Sequence, residues 1–233
     1  MRFILLTIIS FVAWNNVLAQ EIIQNPFSAE LSHPELNVDQ IALYPDSTVI
    51  NFTVVNNADK GGWFCADKNI YIEVPETKKR YYRTSSRDIP TCPTVHNFSK
   101  KGEKLSFTLV FPSIPQNLHT INIIEDCNKA CFFFKGLILS NKLNNDIRTY
   151  DQAMKCYAKN NFECAIDLFT KVLDTIPEKP THVYGYAFYH LIMIHNQKGD
   201  KLAANFWLSK LKESTLPNKE YFIDMAKRDT GIK

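Results

Sequence analysis

Glycine is scarce, at 7 of 233 residues. That argues against a glycine-rich phosphate loop and against any fibrous class. Net charge is also small: 27 Lys+Arg against 24 Asp+Glu leave +3, too little to suggest nucleic acid. The longest basic run is "TKKR" at residues 77–80, which reads as solvated surface. Long apolar runs are missing too. The longest, "FILLTIISFVAW" at residues 3–14, falls short of the roughly 20 residues of a membrane helix. Catalytic signatures are absent: there is no G-x-S-x-G and no H-E-x-x-H. The six histidines (His33, His96, His119, His182, His190 and His195) are scattered. His190 and His195, five apart, fall on different faces of a helix, so no shared metal is expected. No enzyme and no cofactor are expected either.

What is present begins with a leader. Met1-Arg2 is a short basic start, the apolar run follows, and "NNVLAQ" closes it with small Ala19 before Gln20. This pattern predicts a signal peptide over 1–19. The mature chain is then exported and periplasmic, cell-surface or secreted, with no membrane span. Export changes how Cys65, Cys92, Cys127, Cys131, Cys156 and Cys164 are read, since an even number in an oxidising compartment suggests disulfides. Fifteen pairings are possible. Proximity favours Cys127 with Cys131 and Cys156 with Cys164, leaving Cys65 with Cys92. The competing reading is that several are small buried thiols. "CNKAC" (127–131) has three residues between its thiols, where redox pairs of the thioredoxin kind have two; a strand-edge disulfide is the expectation. The pair Glu125-Asp126 reads as a solvated strand end.

The mature chain divides by period. From about Val38 to Ser140 apolar residues alternate. "LSFTLVF" (105–111) sets Leu105, Phe107, Leu109 and Phe111 on one face and Ser106 and Thr108 on the other, the requirement of a half-buried strand. Further strands are expected at 47–55, 69–74, 79–84, 120–125 and 131–139, with breakers at 56–62, 89–94 and 111–116. Short strands with turns between them predict an antiparallel β-sandwich over 20–143. After "SNKLNN" (140–145) the period becomes 3.6, predicting an all-α unit over 144–233.

The helical half resembles tetratricopeptide repeats, a family of 34-residue antiparallel helix pairs. Phe162, Ala165, Phe169, Val172 and Pro177 match the second helix of a first repeat, although Thr149 and Gln152 depart from its first helix. Phe188, Leu191, Gly199 and Ala204 match a second repeat, with Ile192 where a small residue is usual. Residues 218–228 resemble a capping helix. The resemblance implies packing roles for these residues and a protein-binding concave face lined by Tyr150, Met154, Tyr157, Tyr186, Tyr189, Met193 and Asn196. The family's carboxylate clamp needs Lys and Asn where Tyr150, Met154, Tyr189 and Met193 stand, so that specificity is not implied.

The motifs "GGWFCADKNIYIEV" (61–74), "LSFTLVFPSIPQNLHTINIIE" (105–125) and "FFFKGLIL" (132–139) resemble an uncharacterised β-domain of exported Bacteroidetes proteins, to which no activity is attached. Two functions are expected from these readings. The first is an exported scaffold that holds a protein or peptide, or its own β-domain, in a short helical groove. The alternative is glycan or surface-ligand binding by the β-domain, with Trp63, Tyr71, Tyr81 and Tyr82 as an aromatic platform and the repeats as support.

Overall fold

The computed structural model describes residues 21–232; the expected signal peptide lies outside them. The chain forms twelve strands and then five helices. The strands are β1 (Glu21–Gln24), β2 (Glu30–Leu31), β3 (Leu36–Leu43), β4 (Ser47–Val55), β5 (Trp63–Phe64) and β6 (Ile70–Glu73). They continue with β7 (Arg80–Tyr82), β8 (Ser85–Arg87), β9 (His96–Asn97), β10 (Lys104–Pro112), β11 (Thr120–Glu125) and β12 (Phe133–Ile138). Two five-stranded antiparallel sheets, ordered β1-β3-β4-β10-β8 and β2-β12-β11-β6-β7, share one core, and β5 pairs with β9 alone.

Alternation decides what faces inward. β4 and β10 pair so that Phe52 opposes Phe107 and Ile50 opposes Leu109, and all four are buried. The Phe52 and Phe107 rings stack at 5.0 Å, and from the other sheet Phe132 and Phe134 reach Phe52 at 6.2 Å. Burying these large side chains supplies the hydrophobic term that holds the sheets together. Two disulfides tie the loops of this unit, Cys65–Cys92 and Cys127–Cys131, and Cys156–Cys164 ties the helical one. These are the pairs that proximity favours, and no free thiol remains among the described residues, which disposes of the buried-thiol alternative.

The helices are α1 (Asn141–Ala158), α2 (Phe162–Leu173), α3 (His182–Gln197), α4 (Lys201–Glu213) and α5 (Lys219–Thr230). Ser140, Asn161 and Asp200 cap α1, α2 and α4 by accepting from Leu143, Cys164 and Ala203 N–H groups, satisfying donors that a helix start leaves orphaned. Ala165, Phe169, Val172, Leu191, Ile192 and Ala204 are fully buried in the helical core and Phe188 nearly so. Phe162 is half-buried at its edge. Pro177 lies in the α2–α3 connection, and Gly199 takes a φ of +78° before α4. Gly185 marks a close approach of α3 and α5, since a Cβ there would lie 2.2 Å from the Phe222 ring of α5. No described helix is long and apolar enough to cross a membrane.

The two halves meet through amides. The Asn141 side chain accepts from Gln24 N–H and donates to the Ile22 carbonyl, as a neighbouring strand would on the β1 edge. Fully buried Asn144 accepts from Phe27 N–H and donates to the Ile138 carbonyl. Arg148 adds a bond to the Asn25 carbonyl. The first two turns of α1 are therefore docked on the sheet, with their polar groups paired.

Candidate functional site

The concave-face residues expected on α1 and α3 turn largely to neighbouring helices of the same unit. Tyr150 packs against Phe169 at 5.5 Å, Tyr157 against Phe162 at 6.0 Å, and Tyr186 edge-on to Phe222 at 5.1 Å. The Tyr189 hydroxyl donates to Asp229 of α5 at 2.9 Å. Met154 packs on the helical core, Met193 is half-buried, and Asn196 accepts a bond from Lys201.

At the centre of this group stands His190, which the sequence reading weighed only as a metal ligand with His195. It stacks on Phe169 at 5.2 Å, with the rings of Tyr157, Tyr189 and Tyr150 at 5.3, 5.1 and 6.1 Å. Its Nδ1 is buried without a partner. Burial pushes its pKa down to about 4, and burial pushes the Tyr150 hydroxyl up to about 12. Desolvation penalises the charged form in both cases. A deeper contact lies beneath, where the Tyr184 hydroxyl donates to Asp146 at 2.5 Å.

The expected β platform separates. Successive strand residues face opposite ways, so Tyr81 enters the core at 9% exposure while Tyr82 remains 50% exposed. Tyr71 is 5% exposed, covered by the Tyr82 ring at 5.4 Å and the Arg80 guanidinium at 4.5 Å. Trp63 stands apart from all three on β5, 53% exposed.

Trp63 lines a cleft of about 520 Å³ at one end of the sheets. Four segments build it. His33 and Glu35 come from the β2–β3 turn, Trp63 and Phe64 from β5, Pro93 and Val95 from the loop before β9, and Asn128 and Lys129 from the β11–β12 hairpin. Both disulfides of the β unit contribute to its lining. His33 Nδ1 and Glu35 Oε1 lie 3.0 Å apart. Gly62, before the tryptophan, lies so close to Asn56 that a Cβ would fall 2.1 Å from its Oδ1. Asn56 itself donates to the Ala58 and Lys100 carbonyls. The backbone entering Trp63 is thereby held against a buried, hydrogen-bonded side chain.

Glu125 corrects the expectation of a solvated strand end. It is 6% exposed, on the inward face with Ile121 and Ile123. Its Oε1 accepts from Asp67 N–H at 2.7 Å and its Oε2 from Phe132 N–H at 3.0 Å. Burial raises its pKa against those two bonds. Glu125 thus fastens the β5–β6 loop to the start of β12 beneath the cleft. Behind it, Arg83 reaches Thr91 at 3.4 Å and leaves a buried Nη1 without a partner. Among the described residues no group of three or more His, Cys, Asp or Glu is placed to hold a metal ion. No protein-family model matches the chain, and no curated protein matches it.

Proposed function

We propose that this chain is an exported, non-catalytic binding protein whose β unit takes a surface ligand in the Trp63 cleft, with the helical unit as its support. The observation that carries this reading is a large aromatic ring left half-exposed in the wall of a concave site. Small-molecule sites are concave, largely preformed and mostly apolar with a few polar groups, and disulfides on two sides reduce the ordering cost of binding. The three disulfides also suit an oxidising compartment.

The helical unit we read as two tetratricopeptide-like repeats, α1–α2 and α3–α4, capped by α5. The packing of α1 on α2 and of α3 on both α4 and α5 supports this, as does burial of the small and large residues at the repeat's packing positions. The β unit we read as kin to the exported Bacteroidetes domain that its motifs resemble. An NMR screen of the mature chain for ligands that shift the Trp63 indole signal tests the function. A Trp63 signal that no ligand moves would sink it.

A second reading, a protein scaffold, is favoured by Leu202 and Phe206 on α4, which are 86% and 53% exposed. Apolar side chains left this open suit partner contact. Replacing Leu202 and Phe206 by Asp, beside Tyr189→Ala/Met193→Ala in the expected groove, separates the two helical faces: the pair whose loss releases a cross-linked partner from the native cell marks the surface in use.

A further inference from the structure

The polar groups of the Trp63 cleft are of both kinds. Glu35, Asp67 and Glu125 bring carboxylates, the last already accepting two backbone bonds, Asn128 and Lys129 carry donors, and His33 stands beside Glu35. Arg83, behind the wall, offsets part of the acidic charge, since it feels both Asp67 and Glu125. A cation would leave the Asn128 and Lys129 donors unpaired and an anion would leave the carboxylates so, and an unpaired desolvated group is costly. A hydroxyl both donates and accepts, so a ligand bearing several hydroxyls satisfies carboxylate and amine together.

The apolar part of the wall narrows the choice. Trp63 is exposed over half its surface, with Phe64 beside it and Pro93 and Val95 in the same lining. An indole face accepts a flat, apolar C–H surface while the ring's rim stays wet. A pyranose ring offers such a face, with hydroxyls around its edge. The volume, about 520 Å³, lies within the roughly 300–1,000 Å³ of small-ligand sites and leaves room for a mono- or disaccharide. The walls are set in advance, by Cys65–Cys92 on one side, Cys127–Cys131 on the other and Glu125 beneath.

From these features we infer that the cleft is a saccharide site: a neutral sugar ring stacks on Trp63, and its hydroxyls bond Glu35 or Asp67 on one side and Asn128 or Lys129 on the other. This rests on the cleft being the ligand site. It differs from the four-residue platform in using one ring, because the sheet turns Tyr81 inward and covers Tyr71.

The test is a titration of the ¹⁵N-labelled mature chain, followed at the indole N–H signals of Trp63 and Trp207. The probes are maltotriose, cellotriose, an N-acetylglucosamine trimer and, for charge, benzyltrimethylammonium. At least one neutral sugar is expected to move the Trp63 signal and leave Trp207 still. Trp63→Ala then weakens binding about tenfold or more, and Glu35→Gln and Lys129→Ala each about two- to tenfold, with unchanged circular dichroism. A response to the ammonium probe alone overturns the sugar assignment and leaves the cleft a binding site. A Trp63 signal that moves with no probe overturns both. Binding that survives Trp63→Ala overturns the stacking geometry.

Discussion

The molecule carries two aromatic-rich regions, and they differ in what the rings touch. On the helices, Tyr150, Tyr157 and Tyr189 surround His190, and Tyr150 and His190 lean on Phe169, so their contact area is spent within the fold. At the end of the sheets, Trp63 keeps half its surface open beside a cleft. The same residue classes thus serve stability in one place and leave recognition open in the other. What separates them is packing geometry: α1, α2 and α3 bring large side chains together from three directions, whereas β5 is a two-residue strand that projects its tryptophan beyond the core.

The sharpest way to break this comparison is through Phe169, fully buried at the centre of the helical stack. Phe169→Ala should cost about 3–5 kcal/mol, read as a lower denaturation midpoint, and leave ligand shifts at Trp63 intact at temperatures where the chain is folded. A loss below about 1 kcal/mol would mean that the helical aromatics are not acting as a core.

The histidine offers the next largest effect. An unfolded imidazole titrates near 6.5 and the buried His190 at about 4. Between those values the unfolded state holds more protons, so stability from neutral His190 is complete above pH 6.5 and is lost as pH falls toward 4. The full loss is about 3 kcal/mol. Its neighbours are Tyr150, Tyr157, Phe169 and Tyr189, so no carboxylate offsets the charge there. Glu125, whose pKa is raised, contributes in the opposite sense, with its penalty growing as pH rises above the ordinary carboxylate range. The measurement is therefore the difference between wild type and His190→Gln across pH 7 to 4. A difference that stays flat over this window removes the burial argument for His190.

Gly185 comes third. Its missing Cβ admits the Phe222 ring, so Gly185→Ala should force α3 and α5 apart at a cost of about 1–3 kcal/mol. Gly185→Ala combined with Phe222→Leu should recover part of it. No recovery would place the clash elsewhere.

How far the sequence carried these conclusions depends on the range of the interaction. Alternation in 47–55, 105–111 and 120–125 located β4, β10 and β11, because one buried face imposes period two directly on the chain. Separations of 4, 8 and 27 residues made the disulfide pairing readable. The short strands β5, β8 and β9, at two or three residues each, left no periodic trace. The cleft was hidden because its walls come from segments between residues 33 and 130 that only the folded sheets bring together. One signal was available and missed. In "TINIIE" the alternation that turns Ile121 and Ile123 inward also turns Glu125 inward, and a carboxylate on a buried face needs partners. Tyr81 and Tyr82 likewise could not share a face of one strand. The crowding around His190 had no local sign, since Phe169, Tyr150 and His190 lie on three different helices.

The smallest expected effect is the one that decides whether the two regions differ in kind. Trp63 is 53% exposed, whereas Phe64 beside it packs on Phe107 and Phe132. Removing a side chain that open gives up little burial, so Trp63→Ala should shift unfolding free energy by no more than about 0.5 kcal/mol. Denaturant unfolding of the mature chain measures it. A loss above about 1.5 kcal/mol would make Trp63 a packing residue like Tyr150, and the cleft wall would then owe its tryptophan to the fold. A near-zero loss leaves a large, solvated aromatic ring that the fold does not require, held in place by Gly62 against Asn56 and between loops joined by disulfides.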